Sequence, residues 1–341
     1  MIDLVEPLLQ GDRRALARML TAVENETAGV DSALAALYPR TGRAWVIGLT
    51  GSPGAGKSSL VTALAKQYRA QGDTVGIIAV DPTSPFTGGA ILGDRIRMRD
   101  LSGDRGVFIR SMATRGSLGG LSRATRDAIR VLDAAGFDRV LVETVGAGQS
   151  EVDIVRAAYT TVVIEAPGMG DDVQAIKAGI LEIADVLVVN KADRPGADNT
   201  VRSLRAMLEM GHPASRDQMV SHHGQLIPVK QSPAVSGDER LWLPPVVRTV
   251  AIEDKGIEEV VQAIEAHRIF LNQDGRITSL ERQHIEMELH DRLRDALIAR
   301  LLRTLPVESV ESIINQVQQR KLDPQGAVDQ LLEMQALTVA K

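Results

Sequence analysis

The chain has 341 residues, 44% of them hydrophobic, and a formal net charge of −5, which allows one large core plus extensions and excludes a basic field for nucleic acid or other polyanions. The absence of cysteine excludes disulfides and thiolate metal sites. No apolar run approaches the roughly 20 residues of a membrane helix, and residues 1–10 carry acids where a leader would carry Lys or Arg, so a soluble, cytoplasmic protein without membrane partners is expected.

Residues 1–40 place Leu4, Leu8, Leu9, Ala15, Leu16 and Leu20 at helical spacing, predicting an N-terminal helical extension broken at Gly11-Asp12. Short apolar runs and helical stretches then alternate through a domain of residues 41–272. Strands are predicted at 45–49, 75–80, 107–109, 140–142, 161–164 and 186–189, with helices at 60–69 and 124–135. The alternation implies βαβ units and so an α/β, doubly wound, mostly parallel sheet. Residues 212–245 interrupt it with five prolines and the pair His222-His223, and read as a surface excursion. Adjacent histidines point in different directions, so the pair reads as an exposed loop and not as a metal site. Residues 246–251 return to strand character. Over residues 279–341 the chain is helical and amphipathic, with Ile285, Leu289, Leu293, Leu297, Leu301 and Leu302 near one face, an arm suited to packing on its own domain or on a second copy.

Three groups of residues carry chemistry. Gly51-Ser52-Pro53-Gly54-Ala55-Gly56-Lys57-Ser58 follows a predicted strand and opens a helix, in the spacing G-x-x-x-x-G-K-[ST]. Glycines let backbone N–H groups converge on phosphate oxygens, and the helix adds its positive end. Lys57 reaches the β- and γ-phosphates, the Ser58 hydroxyl ligates Mg²⁺, and Ser59 is counted with the phosphate-binding residues. Asn190-Lys191-Ala192-Asp193 follows the run 186–189. The Asp193 carboxylate can accept from guanine N1–H and its exocyclic amine, donors that adenine lacks there. The Lys191 stem can lie along the base, and Asn190 can tie the loop to the purine edge. The nucleotide is therefore GTP, not ATP. Asp81, Asp94 and Glu143 are the candidate Mg²⁺ acids, since that ion takes hard oxygens and few carboxylates. Glu143-Thr144-Val145-Gly146 stands where many GTPases have D-x-x-G, with the Gly146 N–H available to the γ-phosphate. Residues 117–123 read as a mobile loop or a helix start, and residues 167–172 as a switch or a polar turn.

Together these residues resemble the MeaB/ArgK family, the methylmalonyl-CoA mutase-associated GTPases. The resemblance spans about residues 40–211, resumes near 244 and extends weakly through both helical ends. Its specific motifs are Val80-Asp81-Pro82-Thr83-Ser84, Thr87-Gly88-Gly89-Ala90-Ile91-Leu92-Gly93-Asp94, residues 117–123, Val142-Glu143-Thr144-Val145-Gly146-Ala147-Gly148-Gln149-Ser150-Glu151, and Gly179-Ile180-Leu181-Glu182-Ile183-Ala184-Asp185. It implies a homodimeric GTPase chaperone that gates adenosylcobalamin loading of an acyl-CoA mutase and guards it against inactivation. It also implies that the C-terminal helices are a dimerisation arm, that residues 167–177 are a switch answering to the mutase, and that Lys177 aids hydrolysis. The chain departs from the pattern in a longer segment at 213–240 and in Ala251-Ile252-Glu253 where GTPases prefer Ser-Ala; a backbone N–H at Ala251 remains able to meet guanine O6. Some family members were described as kinases of amino-acid transport proteins, a role that Asn190 and Asp193 argue against if ATP is the donor. A nickel or zinc metallochaperone is the other alternative, and the chain has no cysteine and only six histidines with which to build one. Ala147 occupies the place of the water-orienting glutamine of many GTPases, so slow intrinsic hydrolysis, accelerated by a mutase, is expected.

Overall fold

Seven apolar stretches form one parallel sheet in a computed structural model that describes residues 1–81, 98–101, 103–113, 123–144, 154–168, 183–210 and 241–339. They are β1 (Trp45–Gly51), β2 (Val75–Asp81), β3 (Val107–Ala113), β4 (Arg139–Thr144), β5 (Thr160–Glu165), β6 (Val186–Val189) and β7 (Val246–Arg248). Their order is β3-β2-β4-β1-β5-β6-β7, every pairing parallel. Strands β1, β4, β5 and β6 are buried at every residue, which is why they read as unbroken apolar runs and not as alternation. Strand β3 lies at the edge and is longer than predicted. Arg110 and Ser111 end its apolar run, but pairing with β2 continues to Asp81↔Ala113. Strand β7 is shorter than predicted: it stops at Arg248, and Ala251–Glu253 form a 3-10 turn.

From β1 the chain runs out to β2 and β3, returns in β4, then crosses to β5, β6 and β7 on the other side. β1 is where the two directions meet, and in such sheets ligands bind at the carboxyl ends beside that point. One face is covered by α1 (Val5–Leu9), α2 (Arg13–Glu24), α3 (Val30–Leu37) and the later helix Arg123–Ala134. Asp12 caps α2 by accepting from the N–H groups of Arg14 (2.7 Å) and Ala15 (3.3 Å), which explains the break seen in the sequence. Leu16, Met19, Leu20 and Leu37 are buried in the same apolar cluster as Ile78, Val80, Leu132 and Val142. Residues 1–40 are thus a layer of this core. The other face carries α4 (Lys57–Ala70) and the helix Ile257–Leu271, which pack on each other.

By its contacts the chain divides into two compact units, Met1–Arg276 and Ile277–Lys341. The second holds most of the helix Arg276–Thr304 and the helices Val307–Gln318 and Pro324–Val339. Leu289, Leu293, Leu297 and Leu302 are at least half exposed on the first of these. No helix among the described residues is long and apolar enough to cross a membrane.

Candidate nucleotide site

The turn between β1 and α4 is built around two glycines at positive φ, where any side chain would be strained. Gly51 has φ +136°, and because β1 pairs with β5 at Gly51↔Ile164, a Cβ there would sit 2.0 Å from the Ile164 carbonyl oxygen. Gly56 has φ +94°, and its Cβ would sit 2.4 Å from Asn190 Nδ2. Helix α4 starts at Lys57, three residues before the first predicted helical position, and no side chain caps it. Its first N–H groups therefore open toward the loop, the arrangement that binds anions. Ser52 and Ala55 are buried in this turn, Pro53 and Gly54 are exposed, and Ser59 is half-buried in the first turn of α4.

Lys57 is buried and folds over the loop, donating from Nζ to the carbonyls of Gly51 (2.8 Å) and Ser52 (3.1 Å). The Ser58 hydroxyl donates to Glu143 Oε1 at 2.6 Å. Glu143 is buried at the carboxyl end of β4, opposite Leu49 on β1 and Ala79 on β2. A hydroxyl and a carboxylate so placed are hard oxygen donors that fit Mg²⁺. Asp81 is the last residue of β2, two positions beyond Ala79, so its backbone reaches the same edge; its side chain lies outside the described residues. Asp94, Gly146 and Lys177 also lie outside them, as do residues 117–122, 169–172 and the pair His222-His223.

The second loop is bonded to the first. Asn190, 2% exposed, donates from Nδ2 to the Ala55 carbonyl at 2.8 Å, and its Oδ1 accepts from Thr249 Oγ1 and from the Ala251 N–H, both at 3.1 Å. The carboxamide expected at the purine edge is thus engaged between three loops, and the Ala251 N–H expected at guanine O6 donates to Asn190. β7 ends with its partner, since Arg248 pairs with Val189, the last residue of β6. Lys191 takes a left-handed conformation (φ 57°) and its Nζ spans to the Gly54 carbonyl at 2.6 Å. Ala192 N–H donates to the Thr249 carbonyl at 3.0 Å, and Asp193 is exposed beyond it.

Glu165 was not singled out from the sequence. It ends β5, is 6% exposed, and accepts from Ser52 Oγ at 3.0 Å and 3.3 Å on its two carboxylate oxygens. Burial pushes its carboxyl above the ordinary carboxylate range, against the opposing Ser52 hydrogen bond and the Lys57 charge. The available signal was an acid ending an apolar run, the same pattern as Asp81 and Glu143.

A family model described as methylmalonyl Co-A mutase-associated GTPase MeaB matches residues 16–305. A putative GTPase of Pyrococcus abyssi is 48% identical over 334 residues, 98% of this chain and 96% of its own length. GTPase ArgK of Escherichia coli is 37% identical over 283 residues, 82% of this chain and 79% of its own. Among solved structures, an LAO/AO transport system kinase matches with TM-score 0.68 and 27% identity, covering 97% of this chain and 96% of that one.

Proposed function

The chain belongs to the MeaB family of methylmalonyl-CoA mutase-associated GTPases, and from that premise we propose that it binds GTP and GDP with Mg²⁺, hydrolyses GTP, and uses the cycle to gate adenosylcobalamin loading and protect a cobalamin-dependent acyl-CoA mutase. The observation that carries the nucleotide part is the Asn190 carboxamide, which locks the phosphate loop and the N-K-x-D loop into one frame beside the switch point of the sheet. Such a frame sets a fixed distance between a triphosphate and a base, and binding in a preorganised frame loses little ordering entropy.

Within it each residue has a role. The N–H groups of the loop and of the start of α4, with Lys57, receive the phosphates. Ser58 and Glu143, with Asp81 and Asp94, hold Mg²⁺, which when bound neutralises phosphate charge. The Gly146 N–H meets the γ-phosphate, Asp193 reads guanine, and the Lys191 stem lies along the base. Lys177 moves toward the phosphates when the partner orders residues 167–172, and stabilises charge on the transferred phosphoryl group. The exposed leucines of the C-terminal unit are the surface through which two copies associate.

Single-turnover GTP hydrolysis with and without candidate mutases, in wild type and Lys177→Ala, tests this reading. The wild type is expected to be slow alone and stimulated by its mutase, and the variant to lose most of the stimulation. Equal stimulation of both removes Lys177 from the activated state; no stimulation by any mutase sinks the chaperone role. Light scattering on the same samples checks for the dimer, and a monomer would refute that assignment.

A further inference from the structure

Glu165 has no part in the roles above, yet it lies under the phosphate loop. Its carboxylate receives the Ser52 hydroxyl, and the Ser52 carbonyl receives Lys57 Nζ, so acid and ammonium are joined through one loop residue. Its own carbonyl accepts the Asn190 N–H at 2.8 Å, which fixes it to the base loop as well. Among the described residues, the charge that acts on its carboxylate is that of Lys57 on α4, and the loop contributes the neutral Ser52 hydroxyl. A carboxylate this buried is sustained as an ion only by those partners.

We propose that Glu165 is the resident counter-ion of Lys57 and takes up a proton when nucleotide phosphates enter the loop, which makes nucleotide affinity rise as pH falls. The inference rests on the nucleotide reading and adds its regulation by protons. Phosphates bring several negative charges to the same ammonium. They withdraw the Lys57 field that favours ionised Glu165, and they add a like charge across a dry interior. Both changes favour the neutral acid. The proton passes from solvent buffer to the Glu165 carboxylate on binding and returns on release. By reciprocity of coupled equilibria, protonated Glu165 then favours bound nucleotide. The uptake is largest at pH values between the carboxyl's two titration points, free and nucleotide-bound, and vanishes on either side. Since burial already holds the free carboxyl above its ordinary range, that window opens above the range of an exposed glutamate.

The experiment is isothermal titration of GDP with Mg²⁺ into the full chain, in buffers of different ionisation enthalpy at a series of pH values, for wild type and Glu165→Gln. Gln keeps an acceptor for Ser52 and removes the titration. Ionisation of the nucleotide itself is common to both proteins and cancels in the difference. Wild type is expected to take up as much as about one proton more than the variant, and its GDP affinity to gain up to about tenfold per pH unit relative to the variant within the window. Equal proton uptake in the two proteins, with GDP bound by both, would overturn this inference and leave the nucleotide site standing. Failure of wild type to bind GDP would overturn both. If Glu165→Gln does not fold, Ser52→Ala serves: it removes the hydroxyl that favours the ion, so the uptake window must move to higher pH, and an unmoved window refutes the assignment.

Discussion

The sheet buries charge at both of its ends, with different outcomes. At the amino ends of the strands, Trp45 Nε1 donates to Thr160 Oγ1 at 3.0 Å, and His267 lies 3.0 Å from that hydroxyl through Nδ1 and 3.3 Å from Asp185 Oδ1 through Nε2. Asp185 also accepts the Thr161 N–H at 2.7 Å. Beside them Arg139 reaches Asp73 at 2.8 Å and Glu265 at 2.7 Å and lies over the Tyr68 ring. Burial works against the Arg139 charge, but the Asp73 hydrogen bond and the Tyr68, Glu265 and Asp73 fields outweigh it, so the charged form ends favoured. At the carboxyl ends the balance is reversed for Glu165, whose charged form ends disfavoured. Buried ionisable groups alone therefore do not distinguish a site from a structural network. The distinction here is that the carboxyl end also has an uncapped helix start, whose first N–H groups are open to an anion.

The widest separation between the two ends is expected from Lys57→Ala. GTP turnover should fall by about a hundredfold or more, as for loss of one transition-state donor; equal turnover would break the assignment of the carboxyl end. Asp185→Ala is the converse case. It takes the carboxylate away from His267 Nε2 and from the Thr161 N–H, which should cost about 3 kcal/mol of stability and leave GTP affinity unchanged. Calorimetric melting and nucleotide titration on the one sample check it, and a weakened GTP affinity at unaltered stability would refute a purely structural role.

Asp193→Asn should weaken GTP at least about tenfold, the worth of a charged hydrogen bond, and improve xanthosine triphosphate, which offers a carbonyl where guanine has its amine. An unmoved GTP dissociation constant would take Asp193 out of the base site. The smallest effect is the stability of Glu165→Gln without nucleotide. A carboxyl whose folded titration point is raised contributes stability below the unfolded value and loses it as pH rises through the folded one. At neutral pH the ion is thus a cost, and its removal should raise the melting temperature by roughly 1–3 °C, with the gain fading toward acid. A clear drop at neutral pH would place Glu165 with the structural charges of the other end.

Strand runs, the phosphate loop, the N-K-x-D loop and Glu143 were legible in the sequence because each is local: a buried strand is apolar over a few consecutive residues, and a phosphate turn needs glycines within one loop. Asp12 as the break before α2 was legible for the same reason. Tertiary structure alone decided which distant groups meet. Asn190 bonds Ala55 across 135 positions, Ser52 bonds Glu165 across 113, and Ser58 bonds Glu143 across 85. No local periodicity encodes such pairs. They follow from the strand order, which sets β1 between β4 and β5 and so brings their carboxyl ends to one place. That order makes Asn190 a brace between loops and puts Glu165 beneath the phosphate loop.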